Sequence, residues 1–77
     1  MQITIKYFGQ IAEVTQKEAE QLEVSKGKIS ELLNILNSKY DGLKHKDFQI
    51  AQNQELVTKE TVLTGQEIAL LPPFSGG

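Results

Sequence analysis

Apolar and polar residues alternate near the start of the chain, and this pattern predicts two β-strands. Ile3, Ile5 and Tyr7 are separated by single polar residues, a period of two that is typical of a strand with one buried face. A second strand is predicted over residues 18–24, where Leu22 lies in the apolar phase. We expect this second strand to pair back on the first as a hairpin.

The middle of the chain carries an apolar stripe of helical period, which predicts one α-helix packed on a sheet. The stripe consists of Ile29, Leu32, Leu33, Leu36 and Tyr40. Gly42 predicts the end of this helix, because glycine readily forms a left-handed C-terminal cap. The start is predicted near Ser25 or Gly27, since Lys28 is not a capping residue. Residues 11–14 fit either a single helical turn or a wide loop.

The second half of the chain predicts three more strands separated by turns. The predicted segments are strand 48–51, turn 53–54, short strand 55–57, turn 64–66 and strand 67–71. A lone helix can cover only one face of a sheet, so we predict an α+β fold, a mixed sheet of about five strands with one main helix on one face. Hairpin, helix, hairpin and closing strand is the element order of the ubiquitin-like β-grasp fold.

The charge balance argues against nucleic acid as a partner. Eight lysines stand against ten acidic residues, arginine is absent, and the net charge is −2. Arginine supplies the planar fork that reads phosphates and guanine edges, and a negative protein has no field to attract a polyanion. We therefore expect no nucleic-acid binding.

Other classes of function lack the residues they need. Cysteine is absent and His45 is the only histidine, so we expect neither a metal site nor a histidine-based nucleophilic triad. The longest apolar run, Ile68–Leu71, is far shorter than the roughly 20 residues of a membrane span. The start of the chain has no basic region followed by an apolar core, so no signal peptide and a cytoplasmic location are expected.

Carboxylates and glycines within the predicted domain do not form a convincing active site. Glu18, Glu20 and Glu23 lie along the predicted second strand, where we expect them to form a solvated edge that discourages strand addition. Gly27 and Lys28 match only the last part of a phosphate-binding loop. The sequence therefore predicts no internal catalytic centre.

The end of the chain differs from the rest, and we divide the sequence into a domain, residues 1–71, and a tail, residues 72–77. Two prolines fix φ and remove backbone donors, so the tail should leave the last strand in an extended path of roughly 18–20 Å. Gly76 and Gly77 carry no side chains and can pass through a narrow slot, whereas Phe74 is an apolar anchor. On its own a Gly-Gly end indicates fraying, but the prolines and the end of the sequence at Gly77 favour a delivery arm for a terminal carboxylate. A partner that uses ATP to adenylate this carboxylate would make it reactive, and sulfur could then displace AMP.

Five segments together resemble the small subunit of molybdopterin synthase over the whole length of the chain. These segments are Ile5–Gly9, Ile29–Leu36, Asn53–Val57, Gly65–Ala69 and Pro72–Gly77. The last, Pro-Pro-Phe-Ser-Gly-Gly, is the most specific, since Gly-Gly alone is common to ubiquitin-like carriers.

The resemblance implies a ubiquitin-like sulfur carrier without a bound cofactor. Gly77 would be adenylated by an E1-like adenylyltransferase that uses ATP, and would then be converted to a thiocarboxylate, while Gly76 would let it enter a narrow site. The large subunit of molybdopterin synthase, expected to contain the active site within a heterotetramer, would pass the sulfur to cyclic pyranopterin monophosphate. Ala12 lies where some relatives carry a basic residue, so a salt bridge made there is not expected in this chain.

Three alternatives share parts of this pattern. A thiamine-thiazole sulfur carrier has the same fold and Gly-Gly end, but typically lacks the double proline. A ubiquitin-like modifier of protein lysines would use the same chemistry up to the adenylate. A plain binding module with an idle terminus would keep its activity without Gly77.

Strand phase also predicts a docking surface on the uncovered face of the sheet. Phe8 and Leu71 fall out of phase with the buried residues of their strands, and one of Leu56 and Val57 must point away from the helix. We predict that Phe8, Leu56 and Leu71 form an apolar patch there, as residues at these positions do in the resembling family, where they contact both partners. The alternative is that a loop such as residues 11–14, or a bulge at Phe8, covers these residues and makes them part of a minor core.

Overall fold

A computed structural model describes residues 1–73 of the chain. Its elements, in chain order, are β1 (Gln2–Tyr7), α1 (Gln10–Thr15), β2 (Ala19–Glu23), α2 (Ile29–Lys39), a 3-10 helix (Asp41–His45), β3 (Gln49–Gln52), β4 (Glu55–Val57) and β5 (Ile68–Leu71). Every predicted strand is present, with bounds that differ by one residue at some ends. Residues 10–15 take the helical alternative of the two that the sequence left open.

The strands form one mixed sheet in the order β2-β1-β5-β3-β4. β1 and β5 run parallel at its centre, and the other neighbouring pairs are antiparallel. Asn53 and Gln54 both have positive φ, 55° and 67°, as the two-residue turn between β3 and β4 requires. The predicted α+β arrangement, a five-stranded mixed sheet with one main helix, is confirmed.

The hydrophobic core lies between α2 and one face of the sheet. Its fully buried side chains are Ile3, Ile5, Ile11, Ile29, Leu32, Leu36, Leu43, Ile68 and Leu70. The residues of both predicted patterns pack together here: alternate residues of β1 and β5 lie against the apolar stripe of α2. Full burial of one such side chain is worth about 1.5–3 kcal/mol, so this layer supplies most of the force that holds the helix on the sheet.

Both ends of α2 differ from the sequence-based prediction. Lys28, rather than Ser25 or Gly27, is the N-cap residue, and its main-chain N–H donates to Glu31 Oε2 at 2.8 Å. A capping box consists of two hydrogen bonds, and this one uses only the main-chain N–H of the N-cap residue. Lysine can therefore occupy the position.

Gly42 does not form the predicted left-handed cap. The last hydrogen bond of α2 runs from Tyr40 N–H to the carbonyl oxygen of Leu36 at 2.8 Å, and the chain continues into the 3-10 helix, which contains Gly42. That helix buries Leu43 completely. The gain from burying Leu43 gives a physical reason why the chain keeps turning at this point rather than stopping at a glycine cap.

Candidate functional site

The central parallel pair of strands brings two chain segments to the same edge of the sheet. Tyr7 pairs with Leu70, and the N–H of Phe8 donates to the carbonyl oxygen of Leu70 at 3.2 Å. Because β1 and β5 run in the same direction, the residues that follow them emerge side by side. The tail therefore starts next to Phe8.

Phe8, Leu56 and Leu71 lie on the face of the sheet that α2 leaves uncovered, and we call these three residues the open-face patch. The side chains of Phe8 and Leu56 are 43% and 56% exposed, and Leu71 is half-buried. Val57, next to Leu56, packs instead against the core, so Leu56 is the member of this pair that points outward. α1 buries Ile11 and leaves Phe8 exposed.

A groove of about 400 Å³ connects the members of the open-face patch. It is lined by Lys6, Phe8, Ala51, Gln54, Leu56, Glu67, Ala69 and Leu71. Lys6 Nζ and Glu67 Oε2 form a salt bridge of 3.2 Å between two exposed side chains, a kind of pair that contributes little to stability. The groove thus combines an apolar floor with one charged pair, an arrangement suited to binding a protein surface rather than to catalysis.

The tail leaves the domain beside this patch. β5 ends at Leu71, and Pro72 and Pro73 are exposed and outside any strand. A second cleft, of about 370 Å³, lies at the root of the tail and is lined by residues 9–11, 46–47 and 72–73. The other predicted site residues, Phe74, Gly76 and Gly77, lie outside the described residues, and their predicted roles are untested by the structure.

Glu20 is a buried carboxylate that sequence reasoning placed wrongly on a solvated edge. Its side chain is only 8% exposed. Glu20 Oε2 accepts hydrogen bonds from the hydroxyl groups of Tyr7 and Tyr40, and Oε1 lies 2.7 Å from Lys39 Nζ and 3.3 Å from Lys17 Nζ. We call these five residues the Glu20 cluster.

Electrostatics keep the carboxylate of the Glu20 cluster ionised. Partial burial opposes the charge, but the hydrogen bonds from Lys39, Tyr40, Tyr7 and Lys17 outweigh it and lower the pKa of Glu20 to about 2. Burial, together with the hydrogen bond to Glu20, raises the pKa of the Tyr7 hydroxyl. Both oxygens of the carboxylate are occupied by donors, so the cluster joins β2 to the end of α2 and is not arranged to bind a substrate.

A signal for the burial of Glu20 was present in the sequence. Glu20 is in phase with Leu22, so the alternation that buries one side of β2 turns Glu20 to the same side. Its partner on β1 is Ile5, a fully buried residue. What the sequence did not supply was the position of Tyr40, which comes from the packing of α2.

Residues 1–73 contain neither a cluster of metal ligands nor a helix that could cross a membrane. Within this part of the chain, no three histidine, cysteine or acidic side chains are grouped so that they could hold a metal ion. None of the helices described is long and apolar enough to cross a membrane.

Comparison with known proteins assigns the chain to a family. The model of the ThiS family matches residues 5–77. The chain belongs to the ThiS family. The predicted relationship to ubiquitin-like sulfur carriers is confirmed at this level.

Solved structures agree with this assignment and with the fold. One chain in the complex of subunits 1 and 2 of molybdopterin-converting factor from Helicobacter pylori is 32% identical to this chain. The match covers 100% of this chain and 100% of that chain, with a TM-score of 0.73. Small archaeal modifier protein 1 from Methanosarcina acetivorans is 25% identical over 99% of this chain and 96% of its own, with a TM-score of 0.80. A putative molybdopterin converting factor subunit 1 from Pyrococcus furiosus is 19% identical over 96% of this chain and 99% of its own, with a TM-score of 0.89, and so shows the fold alone. The predicted ubiquitin-like β-grasp fold is confirmed.

Proposed function

We propose that this chain is the sulfur-carrier subunit of a molybdopterin synthase, with Gly77 as the carrier residue. The observation that carries the proposal is the position of the tail: β1 and β5 end at one edge of the sheet, so a Pro-Pro-Phe-Ser-Gly-Gly segment starts beside the exposed open-face patch. A partner that holds the patch would receive the tail at a fixed place. The 32% identity to a chain from a two-subunit molybdopterin-converting factor supports the choice of partner.

The chemistry proceeds in two steps at the carboxyl group of Gly77. A carboxylate oxygen attacks the α-phosphorus of ATP in an E1-like partner, which forms an acyl adenylate and releases pyrophosphate. Hydrosulfide then attacks the acyl carbon, the C–O bond to AMP breaks, and AMP leaves with the electron pair. The product is a thiocarboxylate in which one oxygen of the terminus has been replaced by sulfur.

The domain's contribution to this chemistry is binding and delivery. The chain has no cysteine to hold sulfur in another way, and the buried carboxylate of Glu20 is saturated with hydrogen-bond donors. The large subunit would then take the thiocarboxylate into its own active site, where sulfur passes to cyclic pyranopterin monophosphate. This step requires a narrow tail, because the terminus must enter the active site of the large subunit. Gly76 and Gly77 meet this requirement because they have no side chains.

Two other candidate functions are protein modification and sulfur delivery to thiamine thiazole. The 25% identity to small archaeal modifier protein 1 favours a modifier, and a thiazole carrier would have the same Gly-Gly end as this chain. All three functions use the same adenylate, so they differ in the acceptor rather than in the first step. The double proline of the tail favours the molybdopterin role.

The test of the carrier chemistry is intact-mass spectrometry. The full chain is incubated with ATP, the cognate adenylating enzyme and sodium sulfide, and we expect its mass to change by the replacement of one oxygen by sulfur. Deletion of Gly77 should abolish the change and leave the melting temperature unaltered. An unmodified wild-type terminus, with an adenylating enzyme proven active on another carrier, would contradict the proposal.

The acceptor is identified by adding the charged chain to each candidate. With the large subunit of molybdopterin synthase and cyclic pyranopterin monophosphate, we expect loss of sulfur from the chain and formation of the dithiolene product. Transfer only to a thiazole synthase, or conjugation only to protein lysines, would exclude the molybdopterin role while leaving the carrier chemistry intact.

A further inference from the structure

Gly9 occupies a backbone conformation that side chains rarely adopt, at the point where β1 gives way to α1. Its φ and ψ are 58° and −135°, and its carbonyl oxygen accepts the N–H of Ala12 at 3.1 Å, at the start of α1. Glycine reaches this region without a steric penalty, whereas a residue with a Cβ is strained there.

Gly9 also touches the first residue of the tail. A Cβ placed on Gly9 would lie 2.8 Å from Pro72 Cγ, 3.8 Å from Cδ and 3.9 Å from Cβ, which are its three nearest atoms in the described part of the chain. The first distance is shorter than real contacts allow, so the Pro72 ring rests directly against the bare backbone of Gly9. Since the ring of Pro72 also fixes its own φ, the direction of the chain after Leu71 depends on this contact.

From this contact we propose that Gly9 is a positioning residue that sets the direction in which the tail leaves the domain. The inference rests on the proposed function, because direction matters only if the terminus must reach a reacting centre while the domain is held elsewhere. Gly9 acts through its contact with Pro72. Gly9 also lies at the start of α1, and Pro72→Ala separates the two roles because it removes the Pro72 ring and leaves Gly9 unchanged.

Gly65 provides a matched control for backbone strain. It also has a positive φ, 89°, but among residues 1–73 a Cβ there would meet only Met1 Sδ, at 3.9 Å. Gly65→Ala therefore imposes an unfavourable φ on alanine without touching the tail, whereas Gly9→Ala imposes one and displaces Pro72.

The kinetic test is ATP–pyrophosphate exchange by the adenylating enzyme, with the full chain as the varied substrate. For Gly9→Ala we expect kcat to fall about tenfold or more, because small misplacements of a reacting group are costly. We expect KM to stay within about twofold of wild type, since the open-face patch is intact. Gly65→Ala should change neither constant. Equal effects of the two substitutions, or an effect of Gly9→Ala on KM alone, would overturn the inference.

A second pair of variants approaches the same contact from the tail, in case Gly9→Ala fails to fold. Pro72→Ala removes the ring that rests on Gly9. Pro73→Ala also removes a proline ring from the tail, but Pro73 supplies none of the three described atoms nearest to a Cβ on Gly9. We expect Pro72→Ala to lower kcat more than Pro73→Ala does. If the two variants lower kcat equally, the contact does not set the direction of the tail.

A readout without any partner separates this inference from the proposed function. In the NMR spectrum of the wild-type chain we expect a nuclear Overhauser effect between the α-protons of Gly9 and the γ-protons of Pro72. In Gly9→Ala, the amide signals of Lys46 and Asp47, which line the cleft at the root of the tail, should shift, and in Gly65→Ala they should not. Absence of the Overhauser effect overturns the inference even if adenylation occurs. Its presence together with these shifts supports the structural part of the inference even if the chain is never adenylated.

Discussion

The hydroxyl group of Tyr7 donates a hydrogen bond of 2.5 Å to Glu20 Oε2, across the first hairpin of the sheet. Tyr7 lies at the end of β1, one residue before Phe8, and Glu20 lies in β2. Tyr40, at the end of α2, donates to the same oxygen, so one carboxylate ties together the edge of the sheet and the end of the main helix. The Glu20 cluster therefore supports the segment from which Phe8 projects.

Loss of the charge of Glu20 should destabilise the domain. Glu20→Gln keeps the shape of the side chain but leaves a neutral amide facing two lysines and replaces an acceptor oxygen by a donor nitrogen. We expect the free energy of unfolding to fall by about 1–3 kcal/mol, measured by urea denaturation. Glu23→Gln is the matched control, because Glu23 is an exposed residue of the same strand, and its effect should stay within about 0.5 kcal/mol. Equal effects of the two substitutions would show that the contacts of the Glu20 cluster add nothing to the free energy of unfolding beyond what an exposed carboxylate contributes.

The same cluster predicts how stability depends on pH. The pKa of Glu20 falls from an ordinary value of 4.5 to about 2 on folding, so the unfolded chain binds this proton more readily than the folded chain. The contribution of Glu20 is therefore complete above about pH 4.5 and is lost as the pH falls from there towards 2. At neutral pH it amounts to at most about 3 kcal/mol. The difference in unfolding free energy between wild type and Glu20→Gln should shrink over this interval, and a difference that is constant with pH would contradict the assignment.

Removal of an open-face side chain should weaken partner binding without weakening the fold. For Phe8→Ala we expect the Kd for the large subunit and for the adenylating enzyme to rise by roughly one to two powers of ten, measured by calorimetry. Ile35→Ala is a matched control, because Ile35 is 44% exposed, close to the 43% of Phe8, but lies on α2. Unchanged Kd values for Phe8→Ala, or unfolding of the free domain, would place Phe8 outside the docking surface.

Gln52 should stabilise the connection between β4 and β5. Its amide donates to the carbonyl oxygen of Val62 at 3.0 Å and accepts the N–H of Thr64 at 3.0 Å, and the residue is buried. Gln52→Leu leaves both backbone groups unpaired, so we expect a loss of about 1–3 kcal/mol in thermal or urea unfolding.

Gln49 lies in the same strand as Gln52 and provides a control for this prediction. Its Oε1 is buried and has no hydrogen-bond partner among residues 1–73, so Gln49→Leu should cost little or even stabilise the domain. If Gln49→Leu destabilises as much as Gln52→Leu, the two hydrogen bonds of Gln52 are not the source of its contribution.

The order of the strands and of the main helix was determined by the sequence itself, because their signals are local, whereas α1 and the 3-10 helix were not. The alternation of Ile3, Ile5 and Tyr7 and the helical stripe that ends at Tyr40 each need only neighbouring residues to be recognised. The same alternation placed Phe8 opposite to the buried residues of β1, which is where the structure has it. Pro72 and Pro73 likewise end the last strand by their own covalent geometry.

Only the tertiary structure decided which distant residues meet. Tyr40 and Glu20 are 20 residues apart, and Gly9 meets Pro72 only because β1 and β5 pair in parallel. The end of α2 was also decided by packing, since burying Leu43 outweighed the preference of Gly42 for a cap. Strand register and helix packing depend on the sum of many contacts across the domain, and no short pattern in the sequence encodes that sum.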